Sequence, residues 1–484
     1  MEILESVLEE FSALTKIPRP SGHEKQVSDY LCKRLQELGL TVEQDENFNV
    51  IGNLPATPGL ENIPTTILQG HMDMVCVASD GVEYNPLTDP IKTVRSEKFL
   101  QAVGTSLGAD DGIGVSIILH VLKTIDRHGP IRVIFTTDEE TGMSGARNLD
   151  PKYLAGAKYM INCDSENYDE VTVSSAGSVC LDFSKSIRKI SATAKNFFEI
   201  KIDGLLGGHS GERIHENRAN AIRLLAFALV ALKQTAIEKT IAMNIANFNG
   251  GVARNAIPAS ATAVISTDLD FETVVEKCEE VNRRFLVMYD IDLNIKIHVK
   301  KAEPQNILKP IDAQNMVRLL TIIHSGVYAM VANDKDSEPL VETSANLGLV
   351  STNDEKIEVS YFPRSCIDEK LDSFCQLAED VSDLTSFELT ISNRSPGWKR
   401  KMDSVLTQDI CDSFKKLTGR EMKVKSIHAG LECGYFVEKN PELDVVSIGT
   451  TNEAIHSPQE KLHLDTVEPQ VNLILETLKK IAGE

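Results

Sequence analysis

The amino-terminal third of the chain alternates short apolar runs with one long apolar helical stretch. Strand-like runs occupy residues 63–71 (IPTTILQGH), 131–137 (IRVIFTT) and 158–163 (KYMINC), and a helical pattern occupies residues 111–124 (DGIGVSIILHVLKT). Such an alternation is typical of a βαβ layer with a buried, partly parallel sheet. We therefore predict an α/β fold with a mixed, largely parallel sheet between helices.

The same pattern returns from residue 402 onward, whereas the region between the two parts follows a different rhythm. Two successive α+β passes fill that region; the second contains a predicted helix over 312–331 and lacks a clear first strand. At 484 residues the chain is longer than one core usually supports. The predicted domains are a discontinuous domain, residues 1–188 and 396–484, and an inserted, internally duplicated α+β domain, residues 189–395, with subunits at about 189–305 and 306–395.

Charge and cysteine usage exclude several classes of partner. A formal net charge of −21 and a pI near 5.1 describe a surface that repels phosphate, so we expect no nucleic-acid or membrane partner. No run of about 18 apolar residues occurs, and the amino-terminal segment is acidic and amphipathic. Nine cysteines without a CxxC pair indicate reduced thiols. These features predict a soluble protein of the cytoplasm.

Acidic and histidine side chains recur where predicted strands give way to loops. In open α/β sheets that edge is where ligands bind. Two histidines and three or four carboxylates can hold two divalent metals about 3.5–4 Å apart, a pair that activates water for hydrolysis. The first hypothesis is therefore a two-metal hydrolase. Its candidate residues are His71, Asp73, Asp110, Asp111, Glu139, Glu140, Asp164 and His456.

Several of these candidates also have a purely structural explanation. His71 and Asp73 lie two residues apart and so on one face of a strand, where Asp73 can fix the tautomer of His71, but an HxD triplet alone is weak. One of Asp110 and Asp111 could simply cap the apolar helix that follows. That helix must be buried, however, and buried carboxylates require cationic or dipolar partners. Residues 138–140 (DEE) could form a solvated acidic turn.

The charges of the set suit two divalent ions. The ions carry +4, which three carboxylates and a bridging hydroxide would neutralise, and one further carboxylate remains to take a proton from water. Spacing does not decide which of the adjacent Glu139 and Glu140 is a ligand and which is the base.

Eight strings along the chain resemble a known metallopeptidase family, in the same order as in its members. They are QGHMDMV, LGADDGIG, TTDEETGMSGA, INCDSE, GGHSG, ARNAIP, HAGLECG and NEAIHSPQEKL. The family includes glutamate carboxypeptidase, aminoacylase and the cytosolic dipeptidases. The chain is most similar to its aminoacyl-histidine (Xaa-His) dipeptidase branch, the PepD- and carnosinase-like group.

The resemblance implies a di-zinc catalytic domain and a role for each candidate. Asp110 would bridge both zinc ions. His71 and Asp164 would complete the ligand set of one ion, and Glu140 and His456 would complete that of the other. Asp73 would orient His71, and Glu139 would be the general base. The resemblance also implies a cis peptide between Asp110 and Asp111, although this branch often has Asn at the second position. Ligands of these types accept Zn²⁺, Co²⁺ or Mn²⁺, with Zn²⁺ expected from the family.

In the inserted domain, the resemblance implies a lid that recognises the substrate. His209 in GGHSG would stabilise the oxyanion, unless it only starts a helix. Asn255 in ARNAIP and Arg364 in YFPRSC would hold the substrate carboxylate, and Gly430 in HAGLECG would lie near the substrate. Their structural alternatives are a turn cap for Asn255 and a surface strand position for Arg364.

The predicted activity is hydrolysis of unsubstituted dipeptides, of the Xaa-His class including β-Ala-His (carnosine), through a metal-bridging hydroxide. The alternatives are an N-acyl amino acid amidohydrolase of the same family and a catalytically silent binding protein. A homodimer is compatible with this prediction, but catalysis would not require one if the duplicated lid acts within its own chain.

Overall fold

The computed structural model describes residues 2–331 and 340–483, and the chain divides into two compact units. Unit 1 comprises the chain up to Ser174, Trp398–Ser426 and the chain from Leu431 onward; unit 2 comprises Ser175–Gly397 and Ile427–Gly430. In the described part of the chain no single helix is long and apolar enough to cross a membrane, while one bent pair, Ser210–Glu216 with Ala221–Glu238, passes that test jointly.

Strands are numbered in chain order. They are β1 Thr41–Gln44, β2 Val50–Leu54, β3 Thr65–His71, β4 Thr93–Arg95, β5 Phe99–Ala102, β6 Ile131–Thr136, β7 Ala157–Asn162, β8 Glu170–Ser175, β9 Gly177–Ser186, β10 Asn196–Asp203, β11 Gly208–His209, β12 Met243–Gly250, β13 Ala256–Ile257, β14 Ala261–Thr267, β15 Lys296–Lys301, β16 Gly326–Met330, β17 Val341–Thr352, β18 Lys356–Ser365, β19 Glu388–Ser395, β20 Lys423–Ile427, β21 Asp444–Ser447, β22 Asn452–Glu453 and β23 Lys461–His463.

Helices are numbered in the same way. They are α1 Ile3–Leu14, α2 Lys25–Glu37, α3 Ala109–Thr124, α4 Glu139–Gly142, α5 Ser144–Asn148, α6 Ser210–Arg213, α7 Ala221–Glu238, α8 Phe271–Met288, α9 Pro310–Ile322, α10 Asp368–Thr385, α11 Val405–Thr418, α12 Cys433–Lys439 and α13 Val467–Ile481.

Side-chain caps explain where several of the long helices begin. Asn220, Asp270 and Ser404 each accept a hydrogen bond from the amide three residues on, at the starts of α7, α8 and α11. Helix α3 differs, because the residue before it is Gly108, which has no side chain to act as a cap.

Unit 1 is built around an eight-stranded mixed sheet in the order β1-β2-β6-β3-β7-β21-β8-β20. The central neighbours β6, β3, β7 and β21 are parallel, whereas β1–β2, β2–β6 and β21–β8 are antiparallel. The predicted mixed sheet between helices is therefore confirmed, with parallel pairing among its four central strands. Because β3, β6 and β7 are parallel, their carboxyl ends lie at one edge of the sheet, where His71 pairs with Thr136.

Helices cover both faces of this sheet. Ile67 and Met160 contribute to one apolar cluster, which includes side chains of α5 and α12. Their chain neighbours Leu68 and Ile161 contribute to another, with α1, α3, α11 and α13. Successive strand residues point to opposite faces, so near-continuous apolar runs are needed when both faces are covered. This burial explains the composition of the strand-like runs.

Unit 2 contains a nine-stranded sheet in which β15-β10-β14-β12-β17-β18-β9-β19 form the path and β16 pairs with β17. The path consists of two halves of four strands each. In chain order, the strands of the first half are β10, β12, β14 and β15, and those of the second half are β9, β17, β18 and β19; within each half they are numbered 1 to 4 in that order. Both halves then have the spatial order 4-1-3-2, and they meet where β12 pairs with β17. Helices α7 to α10 bury their apolar faces in one continuous core with this sheet.

Two sequence-based expectations are corrected here. The predicted boundary at residue 188 is wrong, because β9 pairs with β18 and β19 and so belongs to unit 2 from Ser175 onward. It is the first strand that the second pass had lacked. The predicted helix over 312–331 is also too long: α9 ends at Ile322, Ile323 is extended, and Gly326 at a φ of 137° starts β16.

Candidate two-metal centre

The carboxyl ends of β3, β6 and β7 present the acidic candidates of unit 1. His71 is the last residue of β3, and Asp164 follows β7 by two residues. After β6 the chain turns through Asp138, which has a φ of 57°, and α4 begins with Glu139 and Glu140. The sheet topology therefore gathers side chains that are up to 93 positions apart in the sequence.

A first group of potential ligands consists of His71, Asp110 and Asp164, whose ligand atoms lie within 4.8 Å of one another. The Nε2 atom of His71 is 3.0 Å from Asp110 Oδ1 and 3.4 Å from Asp164 Oδ1. Its Nδ1 atom faces Asp73 Oδ1 at 3.3 Å, a contact that is not aligned as a hydrogen bond. The ring therefore presents one nitrogen to the two carboxylates and the other to Asp73.

A second group consists of Asp110, Glu140 and His456. The Nε2 atom of His456 lies 3.0 Å from Asp110 Oδ2 and 2.9 Å from Glu140 Oε2. Asp110 thus directs Oδ1 toward His71 and Oδ2 toward His456. A carboxylate that bridges two ions uses one oxygen for each ion, and the two oxygens of Asp110 lie in the two ligand groups in this way.

The donor set fits two divalent metals. Imidazole nitrogen and carboxylate oxygen are the ligands that Zn²⁺ and related ions take in catalytic sites. Glu140 adds a direct sign of a missing partner, because its side chain is only 4% exposed and its buried Oε1 forms no hydrogen bond within the described part of the chain. A metal ion would satisfy that oxygen.

Burial and mutual charge perturb the pKa values across the centre. Burial raises the pKa of Asp164 to about 8, with partial relief from His71. Burial likewise raises the pKa of Glu139 well above its usual range. Burial opposes ionisation of Asp110 too, but hydrogen bonds from His456 and His71 outweigh it and hold its pKa far below normal. Divalent cations would compete with protons for these groups, so metal binding should depend on pH.

Asp111 lies outside both groups. The Asp110–Asp111 peptide is cis, as the resemblance implied. The Asp111 side chain is buried, and its Oδ2 accepts a hydrogen bond from the backbone amide of His71 at 3.2 Å. A Cβ on Gly70 or Gly114 would approach its oxygens to 2.3 and 2.0 Å, so a side chain at either position would displace the Asp111 carboxylate.

Asp73 joins the strand that ends in His71 to the start of α4. It accepts hydrogen bonds from the Glu139 and Glu140 amides at 3.1 and 3.3 Å and from the Ser21 hydroxyl at 2.7 Å. The sequence did not identify Ser21 as a site residue. Its SxxE spacing with Glu24 is typical of a helix cap, but no side chain caps α2, which starts at Lys25.

Glu432 is a buried acid that the sequence did not identify. Its Oε2 accepts hydrogen bonds from Gln69 at 2.8 Å and Thr136 at 2.7 Å, while its Oε1 has no hydrogen-bond partner among residues 2–331 and 340–483. Burial raises its pKa to about 7, with partial relief from His71. The only signal in the sequence is its place in HAGLECG, the string from which the family resemblance predicts Gly430 as a substrate contact.

In unit 2, His209 lies on β11 opposite Ala256 on β13, and the Ser210 amide donates to the Asn255 carbonyl at 2.8 Å. His209 Nδ1 accepts a hydrogen bond from the Glu212 amide at 3.3 Å. Burial and the nearby charge of Arg364 lower its pKa. The ring is therefore neutral near pH 7, with its proton on Nε2.

Arg364 lies on β18 opposite Ser344 on β17 and is 8% exposed. Its guanidinium lies 4.8 Å from the centre of the Phe362 ring, and none of the described residues forms a hydrogen bond with its Nε. Within residues 2–331 and 340–483, no carboxylate forms an ion pair with it. A buried cation without a counter-charge is a candidate anion site.

The remaining predicted residues of unit 2 are less informative. Gly430 ends the short segment Ile427–Gly430, in which the Ala429 carbonyl accepts a hydrogen bond from the Ala176 amide at 3.0 Å. The contacts of Gly430 and of the Asn255 side chain do not assign them a role, so both stay predictions.

The chain is similar to known proteins along nearly its whole length. The chain is 33% identical to the cytosol non-specific dipeptidase of Escherichia coli (strain K12), over 98% of this chain and 97% of the relative. It superposes on aminoacylhistidine dipeptidase from Vibrio alginolyticus with a TM-score of 0.90 at 32% identity, over 98% of this chain and 96% of that chain. The fold also matches aminopeptidase PepT from Bacillus cereus, with a TM-score of 0.58, 18% identity and 99% of each chain covered.

The family match includes every candidate ligand. Residues 67–480 match the model of peptidase family M20/M25/M40, a segment that starts before His71 and ends after His456. Since a relative of nearly equal length is also 33% identical, the chain belongs to peptidase family M20/M25/M40.

Proposed function

We propose that this protein is a cytosolic metallo-dipeptidase that hydrolyses unsubstituted dipeptides, including the Xaa-His class and β-Ala-His. The observation that carries this proposal is Asp110, which offers one oxygen to each of two ligand groups. The relatives named as dipeptidases, one of them cytosolic, support the substrate class and the location.

Five side chains would hold two divalent ions. Among the candidate metals, Zn²⁺ fits these ligand types best. They are His71, Asp110, Glu140, Asp164 and His456. When bound, the ions would activate water at neutral pH and polarise the scissile carbonyl. Side chains of the protein would carry out proton transfer and substrate recognition.

Glu139 is proposed to move the proton. It lies beside the ligands, in a third group with His71 and Glu140. Its buried carboxyl has a raised pKa, so it can hold a proton taken from water and return it to the leaving amine. Asp73 would keep His71 oriented and, through its bonds to the amides of α4, keep Glu139 in place.

Unit 2 is proposed to recognise the substrate. Neutral His209 can donate from Nε2 to the developing oxyanion, and its tautomer is set by the Glu212 amide. Arg364 would pair with the free carboxylate of the dipeptide, which would supply the counter-charge that this buried guanidinium needs. Asn255 and Gly430 are assigned to substrate binding on the resemblance alone.

A dipeptide panel tests the proposal. Ala-His, β-Ala-His and Ala-Ala would be compared with N-acetyl amino acids, using wild type and Glu139→Gln loaded with Zn²⁺, Co²⁺ or Mn²⁺. We expect turnover of dipeptides and little of acylated compounds, with two metals per chain in both proteins. Turnover of only the N-acetyl compounds would instead favour the amidohydrolase, and metal without any turnover in wild type would favour a binding protein.

A further inference from the structure

One buried carboxylate binds the backbone of the loop that carries Asp110. Glu460 Oε2 accepts hydrogen bonds from the Leu107 and Gly108 amides at 2.7 and 3.0 Å. Glu460 Oε1 accepts from the Ala109 amide at 2.8 Å and the Asp110 amide at 3.4 Å. The residue is 2% exposed, so both oxygens are committed to four consecutive backbone donors.

These contacts bind the chain just before the regular part of α3. Asp110 and Asp111 have non-helical φ/ψ values, so the regular helix begins after Asp111, and Glu460 binds the irregular segment that carries Asp110. Buried backbone amides need acceptors, and Glu460 supplies them from a distant part of the chain. Because Glu460 follows His456 by four residues, it also joins the loop of His456 to the loop of Asp110.

A buried guanidinium binds the same loop from the other side. Arg19 Nη1 donates to the carbonyls of Met72 and Asp73 at 2.9 and 2.8 Å, and its Nη2 donates to the carbonyl of Gly108 at 2.5 Å. A Cβ on Gly108 or Gly112 would approach Nη2 to 2.5 Å, so the two glycines leave room for the fork. Arg19 therefore joins the residues just after β3 to the start of α3.

We propose that Arg19 and Glu460 are positioning residues for the two-metal centre. Arg19 holds the Asp110 loop against the strand end that carries His71, and Glu460 holds it against the loop that carries His456. Since Asp110 contributes to both ligand groups, a shift of its loop would disturb both metals at once. This inference rests on the proposed metal centre and adds the two groups that set its spacing.

The test uses Glu460→Gln and Arg19→Lys in the full chain. The first keeps the shape but turns one acceptor oxygen into an NH₂ group that faces backbone amides. The second keeps the charge but lacks the planar fork that reaches three carbonyls. Glu453→Gln is the matched control in the same hairpin, because its side chain is 51% exposed and pairs with His463 at the surface.

The readouts are metal affinity by chelator competition, the visible spectrum of the Co²⁺ form, and kcat and KM for Ala-His. Both variants should weaken metal binding by about 10- to 100-fold, as losses around metal ligands typically do. They should also change the cobalt spectrum and lower kcat with little change in KM, while Glu453→Gln stays like wild type.

Melting of the metal-free proteins separates positioning from simple stabilisation. If both variants lower only the melting temperature and keep wild-type metal affinity, cobalt spectrum and kcat, the inference is overturned. If Glu460→Gln does not fold, Arg19→Lys alone decides by the same readouts. A wild type that binds two metals but leaves dipeptides intact refutes the proposed substrate and leaves the metal readouts decisive. A wild type that binds no metal refutes both.

Discussion

Replacing Arg364 with Met should make unit 2 more stable and the enzyme far less active. Burial lowers the pKa of this guanidinium to about 10, against an ordinary value of about 12.5 or more. Since one pKa unit corresponds to about 1.4 kcal/mol, the buried charge costs the folded state about 3 kcal/mol. That cost is fully present below the folded pKa, and so at neutral pH, and it declines only as pH rises through about 10.

The net gain in stability should be smaller than the charge term. The contact with the Phe362 ring is lost, and such a contact contributes about 1 kcal/mol when partly desolvated. Met fills a similar volume without a charge, so the folded unit should gain about 1–2 kcal/mol, after the cation–π loss is subtracted from the charge term. Thermal unfolding of the metal-free protein would report this as a rise in the transition of unit 2.

The same change should impair dipeptide binding. A bidentate guanidinium–carboxylate pair contributes about 3–6 kcal/mol when each of its two charge-assisted bonds contributes about 1.5–3 kcal/mol, so kcat/KM for Ala-His should fall by at least about 100-fold. Arg394→Met is the matched control, because Arg394 is 37% exposed and pairs with Asp372 at 2.7 Å. Arg364→Met with unchanged kcat/KM, or with lower stability than wild type, would refute the reasoning.

Three further outcomes are expected. Glu139→Gln should keep both metals and lose about 10²- to 10⁴-fold in kcat, as measured by metal analysis and turnover, since a general base contributes about that much. Asp110→Asn should reduce metal content at both positions, because each oxygen of Asp110 faces one ligand group; loss of one ion alone would contradict a bridging role. Glu432→Gln should stabilise the metal-free protein relative to wild type, by a margin that grows from about pH 5 to about pH 7 and then levels off. Burial raises the folded pKa of Glu432 to about 7, so wild type loses stability as pH rises from the unfolded pKa of about 4.3 to that value.

The sheet of unit 1 and most of its site followed from the sequence. Apolar runs without alternation predict strands covered on both faces, and parallel neighbours bring their carboxyl ends to one edge. His71, the DEE run and Asp164 each end such a run, so their meeting was predictable. The separate roles of Glu139 and Glu140 were not, because adjacent residues of one type have the same pattern, and only the family resemblance distinguishes them.

Strand β9 shows a limit that comes from pairing. Its partners are β18 and β19, and the paired residues are at least 170 positions apart in the sequence. Hydrogen bonds between strands join backbone atoms, which do not differ between residue types as side chains do. The sequence of a strand therefore does not indicate which sheet the strand joins. The chain order of β9 placed it with the amino-terminal domain, whereas its pairing places it in unit 2.

The sequence by itself determined the fold class, the two-part organisation and the set of acids and histidines at the strand ends, because periodicity and residue chemistry are local properties. Only the tertiary structure decided that Asp110 offers one oxygen to each ligand group, that Ser21 serves Asp73 rather than a helix, and that Arg19 and Glu460 hold the Asp110 loop. The last two act on backbone carbonyls and amides. Backbone groups are identical along the chain, so such contacts leave no pattern in the sequence and exist only once the chain has folded.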